Sequence, residues 1–184
     1  MSAVHTDAIN DEVAGLLRQG GIGILRTDTL YGIVASARNE AAVERVYAVK
    51  GRTPTKPPII LIASTDQLLN AYDNATLARL KTLWPGRVSV ILPAPGAPTW
   101  LVRLGDSLAY RMPDSAELRD LLEHTGPLIA PSANPEGLPP AMSLHEAVAY
   151  FGEKVDFYVD GGVVEDDTPS RLYRLLDDGM ERLR

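Results

Sequence analysis

Three cations fall within seven residues in Lys50-Gly51-Arg52-Thr53-Pro54-Thr55-Lys56-Pro57, on a stretch whose glycine and prolines force a loop. Ammonium and guanidinium groups held at the lip of a cleft can bind polyphosphate, and the guanidinium fork grips two oxygens at once. A lysine at a helix C-terminus also complements the helix dipole, and a basic loop can be simply solvated. The spacing matches neither the Gly-x-x-x-x-Gly-Lys-Ser/Thr phosphate loop nor the dinucleotide-binding glycine pattern.

Thr27-Asp28-Thr29-Leu30-Tyr31-Gly32 gathers two hydroxyls, a carboxylate and a phenol on a glycine-ended loop. Such a set can orient a small polar substrate, or form an ordinary polar turn around a half-buried tyrosine. Pro131-Ser132-Ala133-Asn134 follows an apolar strand, and strand ends are where α/β folds place ligands. Ser132 and Asn134 could contact ligand oxygens or close a turn on their own backbone. Arg111 sits in a strand-like segment and needs an anionic partner if it is buried. His5, His124 and His145 have no nucleophile motif beside them and read as surface or capping residues. No His, Asp or Glu cluster has metal-ligand spacing, so any Mg2+ would arrive on phosphates rather than in a protein cage.

These groups must be held by elements with readable periods. Apolar residues at helical spacing from Ile9 to Leu17 end at Gly20-Gly21, and a strand over 22–26 leads to a loop over 27–32 and a short strand over 33–35. Asn39 caps a helix with Val43, Val46 and Tyr47 on its apolar face, running to Val49 or Lys50. The apolar run 58–63 reads as a strand buried on both faces. Helices are expected around 66–72 and 76–84, the second stopped by Pro85-Gly86. Strands over 88–93 and 108–112 precede a helix opened by Asp114 or Ser115 and closed by Gly126. A strand over 128–130, a helix with Ser143 and Glu146 at capping-box spacing, and strands over 157–159 and 172–176 complete the chain. The alternation predicts an α/β fold: one mixed, mostly buried sheet with helices packed over it, spanning residues 1–184 as a single domain.

The 184 residues are 45% apolar and 23% charged, a globular composition. No apolar run is long enough for a membrane helix, the N-terminus lacks the build of a secretory signal, and cysteine is absent. A cytoplasmic protein with no membrane partner is the expectation. Net charge is −6, which argues against general nucleic-acid binding. The charge is uneven: residues 45–56 hold Arg45, Lys50, Arg52 and Lys56, whereas 153–167 hold six acids against Lys154. A locally basic cleft on an acidic body suits a small anionic ligand.

In this order, the blocks Thr27-Asp28-Thr29-Leu30-Tyr31-Gly32, Lys50-Gly51-Arg52 with Lys56-Pro57, Trp84-Pro85-Gly86, Arg111 with Pro113, Ser132-Ala133-Asn134 and Pro169-Ser170 resemble the YrdC/Sua5 family. The resemblance is to its short, single-domain, TsaC-type members, the threonylcarbamoyl-AMP synthases. It implies an open, twisted, mixed α/β sheet with flanking helices around a basic cavity. It also implies a nucleotidyl transfer: L-threonine and bicarbonate give N-carboxythreonine, which attacks the α-phosphorus of ATP and releases pyrophosphate. Partner proteins would pass the threonylcarbamoyl group to adenosine 37 of tRNAs, making t6A, and tRNA itself is a candidate partner.

Carried over by motif, the resemblance gives Lys50 and Arg52 the ATP phosphates and the catalytic charge neutralisation. It gives Thr29, Tyr31 and Lys56 the threonine or its carbamate, and Arg111 a carboxylate or phosphate. Ser132 and Asn134 would contact nucleotide and substrate oxygens, and Ser170 would complete the rim. Mg2+ would be carried with ATP. Arg26, Arg87, Glu136 and Arg171 depart from the expected pattern, and Glu136 adds an anion beside the phosphate site. A different class of function, a double-stranded RNA or tRNA-binding module of this fold without synthase activity, is opposed by the acidic net charge.

Overall fold

A computed structural model describes every residue except Met1, Asp167, Asp177 and Asp178. In chain order the elements are β1 Val4–Thr6, α1 Asp11–Arg18, β2 Ile22–Arg26, β3 Tyr31–Ser36, α2 Glu40–Lys50, β4 Ile59–Leu61, α3 Asn74–Lys81 and β5 Val88–Pro93. They continue as α4 Thr99–Val102, β6 Ser107–Arg111, α5 Ala116–Thr125, β7 Leu128–Ile129, α6 Leu144–Phe151, β8 Phe157–Val159, β9 Arg171–Leu176 and β10 Gly179–Arg182.

The strands form one open sheet in the order β1-β8-β2-β3-β7-β4-β6-β5-β9-β10. It is mixed: β2 runs antiparallel to β3 and parallel to β8, while β4 runs parallel to β6 and antiparallel to β7. Both faces of the central strands are covered, while β9 and β10 stay partly exposed, and the period of two in the strands sorts residues between the faces. Ile22, Ile24, Ile33 and Ile60 pack with Val43, Val46 and Tyr47 of α2 and with Ala147 and Phe151 of α6. Leu25, Val34, Leu61 and Leu128 pack on the opposite side with Val13 and Leu17 of α1 and Leu118, Leu121 and Leu122 of α5.

The helices begin where short polar side chains can accept a backbone N–H. Asn39 accepts from Ala42, Ser115 from Leu118 and Ser143 from Glu146. Glu146 returns the contact by accepting from Met142 N at 2.8 Å. Helix α2 closes on Gly51, whose φ of 60° is the left-handed cap that a side chain resists. That cap throws the chain from Lys50 directly into the basic loop.

Three expectations need correction. The helix anticipated over 66–72 is a single 3-10 turn over Thr65–Gln67. There the Gln67 side chain accepts from Ala63 N and donates to the Leu122 carbonyl, and Leu68 turns extended, so the helical ladder stops. The loop over 27–32 is shorter, because Tyr31 and Gly32 of β3 already pair with Arg26 and Leu25 of β2. Helix α3 ends at Lys81, ahead of Trp84-Pro85-Gly86, and its last turn loosens through Leu83 N and Trp84 N, both donating to the Leu80 carbonyl. Strands β1 and β10 and the short α4 were not anticipated.

Candidate active site

A cavity of about 470 Å³ opens where the N-terminal ends of β3, β4 and β9 meet the C-terminal end of β6 and the 130–132 turn. Its wall includes Thr29, Tyr31, Arg52, Arg111, Ser132 and Ser170, so six residues singled out from five separate motifs converge. Arg184, which sequence reasoning missed, also lines it. Among the described residues the lining holds three arginines and no Asp or Glu. Such a wall attracts anions, and desolvation strengthens each contact.

The 131–133 segment is fixed beside β3. Ala133 N donates to the Tyr31 carbonyl at 2.8 Å, Ile33 N donates to the Pro131 carbonyl at 3.0 Å, and Gly32 bridges to Ser132. The Ser132 hydroxyl therefore faces the same space as Thr29. Thr29 Oγ1 lies 3.2 Å from Thr27 Oγ1, and the Thr27 hydroxyl donates to the Leu30 carbonyl at 2.7 Å, which closes the 27–30 turn. On the far wall the buried hydroxyls of Ser170 and Ser89 are 2.9 Å apart. Arg184 reaches back across that wall, its Nε and Nη2 donating to the Ser170 carbonyl at 3.2 and 3.1 Å.

Arg111 has the anionic partner that its burial demanded, and it is internal: Nη2 lies 3.0 Å from Asp28 Oδ1. Burial pulls its guanidinium pKa down while Asp28 raises it. Its Nε is buried without a hydrogen-bond partner. Arg52 is held by a bond from Nη2 to the Pro57 carbonyl at 3.1 Å and stands 5.5 Å over the Tyr47 ring. Its Nε is likewise buried and unpartnered.

Tyr31 lines the cavity but is fully buried, and its phenol serves the 160–162 turn. The hydroxyl donates to the Gly162 carbonyl at 2.8 Å and accepts from Gly161 N at 2.9 Å, with Asp160 Oδ1 at 3.3 Å. Burial raises its pKa, partly offset by the Gly161 N–H.

Lys50, Lys56 and Asn134 are not among the residues that line the cavity. Lys50 is 3% exposed, and its ammonium donates to the Ser132 carbonyl and, at 2.5 Å, to the Asn134 carbonyl. Burial first and the Arg52 charge second pull its pKa down to about 7, while Glu136 acts in the opposite sense. The lysine therefore shapes the 132–134 turn that presents the Ser132 hydroxyl. Asn134 closes the turn on its own loop, donating to the Leu138 carbonyl at 2.7 Å and accepting from Ser132 Oγ at 2.6 Å. Lys56 pairs with Glu136.

The unusual positions have local partners. Arg26 donates to the Gly161 carbonyl at 2.8 Å, and Arg87 pairs with Asp166 at 2.9 Å and donates to the Thr168 carbonyl. Arg171 opens β9, its N–H donating to the Arg87 carbonyl. The Trp84-Pro85-Gly86 block is a brace: the indole donates to the Val88 carbonyl and Gly86 N to the Met112 carbonyl. His5 stacks on Tyr158 with ring centroids 5.0 Å apart.

Among the described residues no group of three or more His, Cys, Asp or Glu is placed to hold a metal, and no helix is long and apolar enough to cross a membrane. The wall's donor set, guanidinium and hydroxyl, matches phosphate and carboxylate oxygens.

A model of the Sua5/YciO/YrdC family, described as "Telomere recombination", matches residues 15–184. The chain is 34% identical over 169 residues to the threonylcarbamoyl-AMP synthase of Cellvibrio japonicus, covering 89% of each. It superposes on the crystal structure of Pyrococcus abyssi Sua5 complexed with L-threonine with a TM-score of 0.87 at 30% identity, covering all of this chain and 57% of that one. It thus spans little more than half of that longer protein. Escherichia coli YciO shares the fold, with a TM-score of 0.83 at 21% identity over the whole chain and 95% of its own.

Proposed function

The chain belongs to the Sua5/YciO/YrdC family, and from that premise we propose that it is an L-threonylcarbamoyladenylate synthase, consuming ATP, bicarbonate and L-threonine. One observation in its own fold carries the reading: Arg52, Arg111 and Arg184 converge with the hydroxyl residues Thr29, Ser132 and Ser170 on a single wall with no Asp or Glu among its described residues. Three cations and three hydroxyls suit a ligand that is anionic at both ends, a nucleoside triphosphate and a carboxylated amino acid.

The chemistry balances without a protein nucleophile. The threonine amine and bicarbonate condense to N-carboxythreonine and water. A carbamate oxygen then forms a bond to the α-phosphorus as the bond to the β-phosphate oxygen breaks, and pyrophosphate leaves with the electron pair. The attacking group is already anionic, so the protein's work is to hold it in line and neutralise charge on the transferring and leaving phosphates. Arg52 and Arg184 suit the phosphates, and Arg111 with Thr29, Tyr31 and Ser170 suits the threonine end. Lys50 and Asn134 act through the turn that carries Ser132. Mg2+ comes with the triphosphate and offsets its charge. The adenylate would pass to transfer proteins that modify tRNA, consistent with a cytoplasmic enzyme.

The test is pyrophosphate release from ATP and Mg2+, which should require both bicarbonate and L-threonine. Equal release in carbonate-free buffer would reduce the protein to an ordinary amino-acid adenylating enzyme.

A further inference from the structure

The loop 51–57 carries Arg52 into the cavity wall but has no regular structure of its own: helix α2 ends at Lys50 and β4 begins at Ile59. Something else must fix it, since an unrestrained loop samples many backbone states. Glu136, on the neighbouring loop that follows Asn134, meets it at three points. Its carboxylate accepts from Thr53 N, from Thr53 Oγ1 at 2.8 Å and from Lys56 Nζ. Its own N–H donates to the Lys50 carbonyl at 2.8 Å. The far side of the loop is pinned separately, Tyr47 Oη donating to the Lys56 carbonyl at 2.6 Å. Arg103 stacks 3.7 Å from the centre of the same Tyr47 ring, backing it from behind.

We propose that Glu136 is a positioning residue for nucleotide binding: its carboxylate bolts the basic loop to the 132–138 loop and so holds the Arg52 guanidinium at the cavity wall. This rests on the synthase reading for the identity of the nucleotide. Glu136 does not itself line the cavity, so it acts through Arg52 rather than on the ligand.

Two effects of this carboxylate oppose each other. An anion beside a phosphate site repels the ligand, and by that measure its removal should tighten binding. Its charge is, however, met at contact by Lys56, so little net repulsion reaches the cavity. An exposed ion pair alone would contribute little. The backbone N–H of Thr53 makes the difference, because a bond to the main chain removes loop freedom that the ligand would otherwise have to remove on binding. Positioning wins, and Glu136 strengthens nucleotide binding.

The test uses the full chain with Glu136→Ala and Glu136→Gln. Hydrogen exchange at the Thr53 amide is measured without ligand, Mg·ATP affinity by calorimetric titration, and KM and kcat from pyrophosphate release. In Glu136→Ala the Thr53 amide should exchange at least tenfold faster, and the ATP Kd and KM should rise roughly tenfold with kcat within about threefold. Glu136→Gln keeps an acceptor for Thr53 but gives up the ion pair and the acceptor for Lys56, an exposed contact worth little, so Thr53 exchange and ATP affinity should both stay near wild type. Unchanged Thr53 exchange in Glu136→Ala would overturn the bolt, and tighter ATP binding in that variant would make Glu136 an obstruction instead. Exchange and titration do not depend on turnover. Absence of bicarbonate-dependent pyrophosphate release in the wild type would thus sink the synthase reading while leaving this proposal to be judged separately.

Discussion

The Arg111 guanidinium and the Asp28 carboxylate lie 3.0 Å apart with each side chain only 5% exposed. Asp28 lets a cation sit buried at the edge of an anion-binding wall, because it compensates the desolvation that a lone guanidinium could not bear. The wall thereby keeps an arginine whose charge is met by Asp28.

Breaking that pair should be expensive. Asp28→Asn leaves the Arg111 charge buried and uncompensated, and the loss of stability is expected to be on the order of 3–5 kcal/mol. Urea denaturation measures it. Mg·ATP should raise the melting temperature of Asp28→Asn more than that of the wild type if its anionic groups replace the missing partner. A loss well under about 1 kcal/mol would mean the guanidinium is solvated after all.

Lys50 and Arg52, two residues apart, should fail in different ways. Lys50→Met strips two backbone carbonyls of their donor, and should cost about 1–3 kcal/mol of stability. Arg52→Ala removes a side chain on the cavity wall, and should slow turnover by an amount equivalent to about 3 kcal/mol while barely moving the denaturation midpoint. The comparison needs thermal melts and kcat/KM side by side. The reverse pattern would return Lys50 to the ligand.

Tyr31→Phe separates the ring from the phenol. The buried ring is kept, while the Gly161 N–H loses its acceptor, so stability should fall by about 1–3 kcal/mol. The KM for threonine should move by less than about threefold, an energy well below that of a lost hydrogen bond to substrate. A large rise in KM without destabilisation would place the hydroxyl on the substrate.

Acid should expose Glu136. Bonds from Lys56 and Thr53 hold its pKa down at about 2, against an ordinary 4.5. The folded state therefore binds this proton less readily than the unfolded chain does. The contribution is complete above pH 4.5 and disappears as pH falls from there toward 2. The stability difference between wild type and Glu136→Gln should be flat from pH 7 to about pH 5 and shrink below 4.5. A difference that widened on acidification would contradict the assignment.

Local patterning alone determined the alternation of helices and strands, the caps at Asn39 and Ser143, the stop at Gly126 and the basic loop after Lys50, while leaving Asp114 and Ser115 as alternatives for a cap that the structure gives to Ser115. Those features depend on 3.6- and 2-residue periods and on hydrogen bonds a few residues long, so they are written in neighbouring positions. The motif blocks also identified Thr29, Tyr31, Arg52, Arg111, Ser132 and Ser170, which the fold brings to one wall. Edge strands β1 and β10 were illegible because each is short and partly exposed, without apolar alternation to mark it. Only the tertiary structure decided which cations face ligand space. Lys50 turns into carbonyls 82 and 84 residues away, Asp28 meets Arg111 across the fold, and Arg184 returns from the distant C-terminal residues to the wall beside Ser170. Burial sets the electrostatic role of a charged side chain, and burial is decided by residues far apart in the chain, which local spacing does not encode.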